Sequence, residues 1–260
     1  MVPDPNWYDS LWLKAYLAAK DVVGRVAPNR LDEFVHAFDI LRTRPDFVAR
    51  HMPQMIDPAL LAELRAIVRA IPQDKYEFEE IKAFGRFVVH DLPEFTALQH
   101  KFVDQVSEWA GETVEPGYNF LSLYTRMGVC RPHLDSPEAK WTLDLCLDQS
   151  EPWPIHFSQI VPWPERRAEV AALASAAIPE QANLQFRAVA MDPGDAILFS
   201  GSSQWHYRDP LPHDGRKHFC DLLFLHFVPR GAGDLIVPAN WALLFGIPEL
   251  AELPGLAEAA

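Results

Sequence analysis

The sequence is poor in cysteine, with only Cys130, Cys146 and Cys220 among its 260 residues. The number is odd and no two of them form a Cys-x-x-Cys pair, so neither a disulfide framework nor a thiolate zinc site is expected. Sparse, unpaired cysteines are typical of proteins from a reducing compartment. We therefore expect a cytoplasmic protein whose cysteines are small buried side chains.

Positive charge is also scarce. The chain has 23 Lys and Arg against 36 Asp and Glu, which gives a formal net charge of −13. Nucleic-acid-binding modules usually carry a basic surplus, so a nucleic-acid partner is not expected. The acidity would suit a cationic small-molecule substrate, but its contribution to solubility explains it equally well.

Long apolar runs are missing as well. No stretch approaches the ~20 apolar residues that a membrane span needs, and the N-terminal MVPDPNWYDS lacks the basic and apolar regions of a signal peptide. There is no Gly-rich phosphate loop and no Gly-x-Ser-x-Gly motif, so nucleotide chemistry and serine-triad hydrolysis have no support. We expect a soluble protein without a membrane partner.

Apolar residues, in contrast, make up 49% of the chain, which is enough for a packed core. The length suits one domain over residues 1–260, with a mainly helical N-terminal layer over 1–115 and a C-terminal tail over 231–260. Apolar side chains recur at helical spacing in 8–25, 30–43, 58–71 and 93–110. Asp57-Pro58 is typical of a helix start.

From about residue 117 the pattern changes to short β-type runs separated by Pro, Gly, Asp and Ser. Strands are predicted at Tyr118–Arg126, Trp141–Leu147, Ile155–Ile160, Leu184–Met191, Ala196–Ser200 and Lys217–Val228. Many short strands at this spacing indicate a sandwich or barrel over 116–230 rather than a parallel sheet.

An Ala-rich helical stretch, Glu165–Ala177, interrupts these strands within an insertion over 161–182. Its modest apolar face suits a flap that rests on the barrel. Two interpretations are equally open at this point: a lid that contacts the primary substrate, or a surface decoration.

One short motif, His133-Leu134-Asp135, follows an apolar, β-prone run. Residues i and i+2 of a strand point to the same face, so the imidazole and the carboxylate can converge on one point. Taken alone, the pair is more simply a structural hydrogen-bonded pair. His206, which follows the Gly194-Asp195 strand, supplies a third ligand; two His and one carboxylate leave metal positions open, as in non-haem Fe(II) oxygenases.

A basic residue follows at a fixed distance. Arg216 lies ten residues after His206, just beyond the Asp214-Gly215 turn. By the two-residue period it shares a strand face with His218 and Cys220. A guanidinium there could grip a carboxylate in bidentate fashion.

With these residues in order, the chain resembles the Fe(II)/2-oxoglutarate-dependent dioxygenases, and among them the prolyl-4-hydroxylase-like branch. That pattern has a Tyr about nine residues before His-x-Asp, then a Gly-Asp strand, a distal His and a basic residue. The resemblance covers about 118–228. It implies His133, Asp135 and His206 as iron ligands and catalytic residues. It also implies Arg216 as the clamp for the distal 2-oxoglutarate carboxylate, with Tyr124 and Thr142 as further co-substrate contacts.

The resemblance implies an α+β fold: a double-stranded β-helix, or jelly-roll, with N-terminal supporting helices and a helical insertion. Fe(II), 2-oxoglutarate and O₂ are the expected cofactor and co-substrates. The expected reaction is hydroxylation of an unactivated C–H bond of a small molecule or amino-acid-type substrate, with release of succinate and CO₂. The alternative is a cupin-like, non-oxidative metal-binding isomerase or small-ligand sensor, which has no need of Arg216.

Overall fold

The computed structural model describes residues 9–166 and 175–253. Its α-helices are α1 (Asp9–Val26), α2 (Leu31–Ala37), α3 (Pro58–Ala70), α4 (Ile81–Phe84), α5 (Pro93–Lys101), α6 (Val103–Ala110), α7 (Gly233–Ile236) and α8 (Trp241–Phe245). Its strands are β1 (Arg50–Met52), β2 (Arg86–His90), β3 (Val114–Tyr124), β4 (Cys130–His133), β5 (Trp141–Gln149), β6 (Ile155–Ile160), β7 (Arg187–Val189), β8 (Ala196–Phe199), β9 (Gln204–Arg208) and β10 (Cys220–Pro229).

The helix start predicted at Asp57-Pro58 is confirmed. The Asp57 carboxylate accepts hydrogen bonds from the amides of Ala59 and Leu60 at 2.9 and 3.0 Å, which satisfies two donors that the first helical turn leaves free. The single helix predicted over 93–110 is instead two helices, because the chain leaves regular helical geometry at Phe102. Both still pack with the stripe of apolar residues that the spacing indicated.

The strands form two antiparallel sheets. The six-stranded sheet has the order β1-β8-β5-β10-β3-β2, and the four-stranded sheet has the order β4-β9-β6-β7. Neighbours in each sheet are mostly far apart in sequence, which is the connectivity of a jelly-roll rather than of a meander. The predicted α+β class with two facing sheets is confirmed.

Side chains on the central strands of the six-stranded sheet alternate between its two faces. On β5, Leu143 and Leu145 join the apolar core formed with α3, α5 and α6. Thr142 faces the other way, into the cavity, and Asp144 bonds to Arg208 of the four-stranded sheet. The same alternation on β10 buries Leu223 and Leu225 under the helices. One face of the sheet is therefore held by helices, and the other is free to build a site.

A second core lies apart from the sheets. It joins α1 and α2 to α7 and α8 through closely spaced aromatic rings. Trp241 of α8 packs edge-on against Trp12 at 5.7 Å and Phe38 at 5.3 Å between ring centroids. The segment predicted as a C-terminal tail is thus packed against the N-terminal helices over its described part. None of the described helices is both long and apolar enough to cross a membrane.

The insertion lies between β6 and β7. Its central residues 167–174, which hold most of the predicted helix Glu165–Ala177, lie outside the described residues. Before them, Glu165 forms an ion pair with Lys20 of α1 at 3.0 Å. After them, a 3-10 helix runs over Ser175–Glu180.

Candidate metal and active site

Two histidines face each other at one end of the four-stranded sheet. β4 and β9 are antiparallel neighbours, and their register places His133 directly opposite His206. The ring centroids are 4.2 Å apart. Cross-strand pairing therefore brings the two imidazoles together although 73 residues separate them in the sequence.

Asp135 completes the group from the loop after β4. Its Oδ1 lies 3.4 Å from Nε2 of His133 and 3.7 Å from Nε2 of His206. One donor atom from each of the three residues lies within 4.8 Å of the others. The predicted triad is thus assembled in space, with the histidine nitrogens and a carboxylate oxygen converging.

A backbone carbonyl holds the Nδ1 atom of each histidine ring in place. Nδ1–H of His133 donates to the carbonyl of Arg131 at 2.7 Å, and Nδ1–H of His206 donates to the carbonyl of Gln204 at 2.9 Å. A carbonyl only accepts, so each Nδ1 carries a proton, and Nε2 of each ring points towards Asp135. This is how metal-bound histidines are usually oriented, and the donor set fits Fe(II).

Gly201 holds the carboxylate in place. Its carbonyl accepts a hydrogen bond from the amide of Asp135 at 2.9 Å, and its own amide donates to the carbonyl of Lys140 at 3.1 Å. A Cβ at this position would lie 2.2 Å from Oδ2 of Asp135 and 2.6 Å from the carbonyl of Ala139. Only glycine lets the segment approach Asp135 so closely.

Burial and mutual charge set the protonation of the group. Burial would raise the pKa of the Asp135 carboxyl, but the imidazoles of His206 and His133 hold that pKa below its usual value. Burial, with His133 beside it, lowers the pKa of His206 to about 4. In spite of burial, Cys130 and Asp135 hold the pKa of His133 well above its usual value. Asp135 and His206 are therefore in the forms that bind a metal, an ionised carboxylate and a neutral imidazole, whereas His133 must release a proton when it binds one.

A cavity of about 240 Å³ lies between the two sheets, next to the triad. It is lined by side chains of both sheets and of two loop residues, Glu80 and Asp135. The strand residues in the lining are Arg86, Val88, His90, Tyr118, Phe120, Tyr124, Cys130, His133, Thr142, Ile155, Phe199, His206, Arg208, Phe224 and His226. The mixture of aromatic rings with a few convergent polar groups is typical of a small-molecule site.

Tyr124 and Thr142, the two predicted co-substrate contacts, both lie in the cavity wall. The hydroxyl of Tyr124 accepts a hydrogen bond from Nη1 of Arg86 at 2.9 Å, so its own O–H is free to donate. The hydroxyl of Thr142 is 3.0 Å from Nδ1 of His226. Thr142 therefore contacts another side chain of the wall, and Tyr124 is the better placed of the two to meet a ligand.

The structure does not bring Arg216, the predicted clamp, to the cavity. β10 begins at Cys220, so the predicted start of the strand at Lys217 fails, and Arg216 lies in the loop before the strand. Its side chain is 68% exposed and is paired with Asp214. Arg216 does not belong to the described lining of the cavity, because the Asp214-Gly215 turn carries it to the surface.

Two buried arginines in the cavity wall were missed. Arg208 lies on β9, two residues after His206 and on the same strand face; its Nη2 donates to Oδ2 of Asp144 at 2.9 Å. Arg86 lies on β2 and pairs with Glu80. The two-residue strand period that joined His133 to Asp135 would also have linked His206 to Arg208.

Burial shifts the pKa values of Arg208 and Asp144, which form an ion pair, in opposite directions. Desolvation raises the pKa of the Asp144 carboxyl to about 6, although Arg208 lowers it. The pKa of Arg208 stays above its usual value in spite of burial, because Asp144 favours the charged guanidinium. A permanent cation therefore stands in the wall, two residues from a predicted metal ligand.

The sequence matches no family model and no curated protein, but the fold matches solved structures. HygX from Streptomyces hygroscopicus, with nickel and 2-oxoglutarate bound, gives a TM-score of 0.54 at 12% identity and covers 76% of this chain and 86% of its own. The α-ketoglutarate-dependent epimerase SnoN from nogalamycin biosynthesis gives 0.55 at 15%, covering 78% and 89%. The carbocyclase SnoK from the same biosynthesis gives 0.51 at 13%, covering 72% and 85%. At these identities the likeness concerns the fold, and the chain therefore has the jelly-roll fold of the non-haem Fe(II)/2-oxoglutarate-dependent oxygenases.

Proposed function

We propose that the protein is an Fe(II)- and 2-oxoglutarate-dependent oxygenase that acts on a small-molecule substrate. The observation that carries this proposal is the convergence of His133, Asp135 and His206 beside a cavity whose wall also holds the buried cation of Arg208. A non-oxidative metal site needs the triad but no buried cation. The free cysteines support a reducing, cytoplasmic setting.

The triad would hold Fe(II) through Nε2 of both histidines and a carboxylate oxygen of Asp135. Bound Fe(II), with 2-oxoglutarate and O₂, supplies oxidation of an unactivated C–H bond coupled to release of succinate and CO₂. The protein's own part is to fix three ligands on one side and leave the cavity side open. The backbone hydrogen bonds at both Nδ1 atoms keep the imidazoles from rotating away.

The distal carboxylate of 2-oxoglutarate would be held by Arg208. Two residues along a strand span about 6–7 Å, which is comparable to the distance between the ends of a five-carbon dicarboxylate. A guanidinium has five N–H donors, and Arg208 uses two of its nitrogens on Asp144 and on the carbonyl of Trp153. Tyr124, whose O–H is free to donate, would supply a second hydrogen bond.

Hydroxylation is the outcome that we propose for the substrate. SnoN and SnoK share the fold and are described as an epimerase and a carbocyclase, so the product itself must be measured. Mass spectrometry separates the outcomes: hydroxylation adds one oxygen atom, epimerisation leaves the mass unchanged, and cyclisation removes two hydrogen atoms. A product without added oxygen would contradict hydroxylation while leaving the metal site intact.

The triad can be tested by binding alone. Anaerobic addition of Fe(II) and 2-oxoglutarate to the purified protein should produce the visible metal-to-ligand charge-transfer band of the chelate. His133→Ala, Asp135→Ala and His206→Ala should each abolish the band and lower the bound iron, because each removes one of three ligands. His156→Ala is the matched control, since this histidine lies on the adjacent β6 and pairs with Asp209 at 3.3 Å. Full iron content in any triad variant would remove that residue from the site.

A further inference from the structure

The guanidinium of Arg208 connects a buried carboxylate of the protein with the cavity. Asp144 of β5 is fully buried, and its Oδ2 accepts a hydrogen bond from Nη2 of Arg208 at 2.9 Å. Arg208 belongs to the described cavity wall, whereas Asp144 does not. The two side chains are 3% and 0% exposed, so their charges compensate each other without help from solvent. An anion that Arg208 binds from the cavity therefore meets a cation that already has a carboxylate partner.

The second carboxylate oxygen of Asp144 is unpaired. Oδ1 is buried and has no hydrogen-bond partner among the described residues, although both oxygens of an ionised carboxylate can accept. Buried polar atoms are normally paired, and a buried charge is costly unless hydrogen bonds compensate it. A proton can therefore bind at Oδ1 without breaking any contact of the folded protein.

The other neighbours of the pair bring no second cation to it. In the sheet register Asp144 lies opposite Phe224 of β10 and Ile197 of β8, which are apolar. Arg86, the other arginine of the described cavity wall, is paired with Glu80. The titratable side chains around the pair are cysteines, a tyrosine and a histidine: Cys146 of β5, Cys220 of β10, Cys130 of β4, Tyr124 of β3 and His206 of β9. A carboxylate bound at Arg208 would thus have to share its cation with Asp144.

A bound dicarboxylate changes the charge balance of this region. With the distal carboxylate of 2-oxoglutarate at Arg208, one guanidinium would face two carboxylates in a buried setting. Two carboxylates that share a site do not both stay ionised, because the pKa of one of them rises. Burial already raises the pKa of Asp144 to about 6, although Arg208 lowers it. Asp144 is therefore the carboxylate that takes the proton.

We propose that Asp144 takes up one proton from solvent when 2-oxoglutarate binds, so that the charge of Arg208 becomes available to the distal carboxylate of the co-substrate. Oδ2 of the protonated Asp144 still accepts from Nη2, which keeps Arg208 in place. The proton returns to solvent when succinate, which carries the same distal carboxylate, leaves. Asp144 is a positioning residue, because it acts through Arg208. This inference rests on the proposed function, since it concerns the binding of its co-substrate.

Counting protons tests the proposal on the unaltered full-length protein. Ni(II) is loaded first, so that the proton released by His133 is not counted. Calorimetric titration with 2-oxoglutarate at pH 7, repeated in buffers of different ionisation enthalpy, should show uptake of most of one proton. The matched ligand 2-oxopentanoate has the same chain length but lacks the distal carboxylate, so it should bind without this uptake. Equal uptake with both ligands, or none with 2-oxoglutarate, would overturn the proposal.

The affinity for 2-oxoglutarate should depend on pH in one direction. Asp144 holds its proton more firmly in the complex than in the free protein, so binding is favoured at low pH. Above about pH 6 the dissociation constant should rise by up to about 10-fold for each pH unit. A dissociation constant that is unchanged between pH 6 and pH 8 would contradict the proposal.

Asp144→Asn separates proton uptake from a merely structural role. The side chain keeps an oxygen that can accept from Arg208 but has no carboxylate to protonate. We expect the uptake to disappear and 2-oxoglutarate to bind on the order of 10-fold more tightly than in the parent at pH 8, because no protonation has to accompany binding. The two proteins should differ little at pH 6. If Asp144 only held Arg208 in position, the variant would bind 2-oxoglutarate more weakly at both pH values.

Asp221→Asn is the matched control. It removes another carboxylate of the same sheet, one whose pKa is raised to about 7 by burial and by Asp148 and which lies outside the described cavity wall. Proton uptake should persist in this variant. If Asp144→Asn fails to fold, the comparison of 2-oxoglutarate with 2-oxopentanoate on the parent protein still decides the question. Absence of 2-oxoglutarate binding at every pH would contradict the proposed function, and binding without proton uptake would contradict this inference alone.

Discussion

At the scale of single residues, the triad depends on a glycine that is not a ligand. Gly201→Ala places a methyl group where the Asp135 carboxylate and the carbonyl of Ala139 now lie. Asp135 must move, so we expect iron affinity to fall by at least about 10-fold, which corresponds to roughly 1.4 kcal/mol. Equilibrium dialysis against Fe(II) under argon measures this. Gly233→Ala, where a Cβ meets nothing within 4 Å, should leave affinity unchanged; equal losses in both would contradict a local effect.

A second residue-scale prediction concerns the co-substrate. Arg208→Lys retains the charge beside Asp144 but loses the bidentate fork, so the dissociation constant for 2-oxoglutarate should rise on the order of 10-fold. Arg216→Ala should leave this constant unchanged, because Arg216 lies in the surface loop. Titration of the charge-transfer band with 2-oxoglutarate measures both. A larger rise of this dissociation constant in Arg216→Ala than in Arg208→Lys would instead support Arg216 as the residue that binds the distal carboxylate.

These two arginines show how far the sequence predicted the site. His133, Asp135 and His206 could be grouped because a strand period and a fixed order of motifs constrain them. The count of ten residues after His206 assumes a strand that already includes Arg216. Instead, β10 begins at Cys220, and an ion pair with Asp214 holds Arg216 in a surface loop outside the described cavity wall. Burial of Arg208 depends on Asp144, a contact across 64 residues that no local pattern encodes.

At the scale of elements, β5 and β10 bring two carboxylates together. Asp221 pairs directly with Asp148 in the register. Burial first, and then the charge of Asp148, raise the pKa of Asp221 to about 7 from a usual 3.8. Between about pH 4 and pH 7 the folded state keeps a proton that the unfolded chain releases. The contribution of Asp221 to stability therefore falls as the pH rises.

Asp221→Asn should remove the loss of stability that the ionisation of Asp221 causes as the pH rises. We expect the variant to raise Tm at pH 8 and to change it little at pH 4, where Asp221 is protonated when folded. Differential scanning calorimetry at the two pH values measures the difference. Asp104→Asn, exposed on α6, is the control and should not raise Tm at pH 8. A stabilisation at pH 4 as large as at pH 8 would exclude the titration of Asp221 as its cause.

Strands with strong apolar runs were predictable, and several short strands rich in polar side chains were not. β6 was predicted with its observed bounds, Ile155–Ile160. β2, β4 and β9 have four or five residues each and mix charged or histidine side chains with apolar ones. Their pairing partners, rather than their own composition, make them strands, which is why the sheet that holds the histidines was the harder one to predict.

At the scale of the whole molecule, the second core joins the N-terminal helices α1 and α2 to the C-terminal helices α7 and α8. Trp241 is fully buried there among Trp12, Phe34 and Phe38. Trp241→Ala should lower the free energy of unfolding by about 3–5 kcal/mol, the usual cost of removing a large buried aromatic side chain. Urea denaturation followed by circular dichroism measures it.

Leu243, on the same helix, is 90% exposed, so Leu243→Ala should cost less than about 0.5 kcal/mol. Because this core is separate from the cavity, folded Trp241→Ala protein should bind iron as the parent does. Loss of iron affinity without loss of stability would show that the aromatic core is coupled to the triad.

The two facing sheets contribute different parts of the site. His133 and His206 belong to the strands of the four-stranded sheet, whereas the cavity-lining rings of Tyr118, Phe120 and Phe224 belong to the six-stranded one. Positions 118, 120 and 224 can therefore vary while the metal-binding strands keep their sequence, and their strand neighbours on the opposite face remain anchored under the helices. Such a scaffold is evolvable: a library restricted to these three positions would explore new substrates from a metal centre that stays assembled in every member.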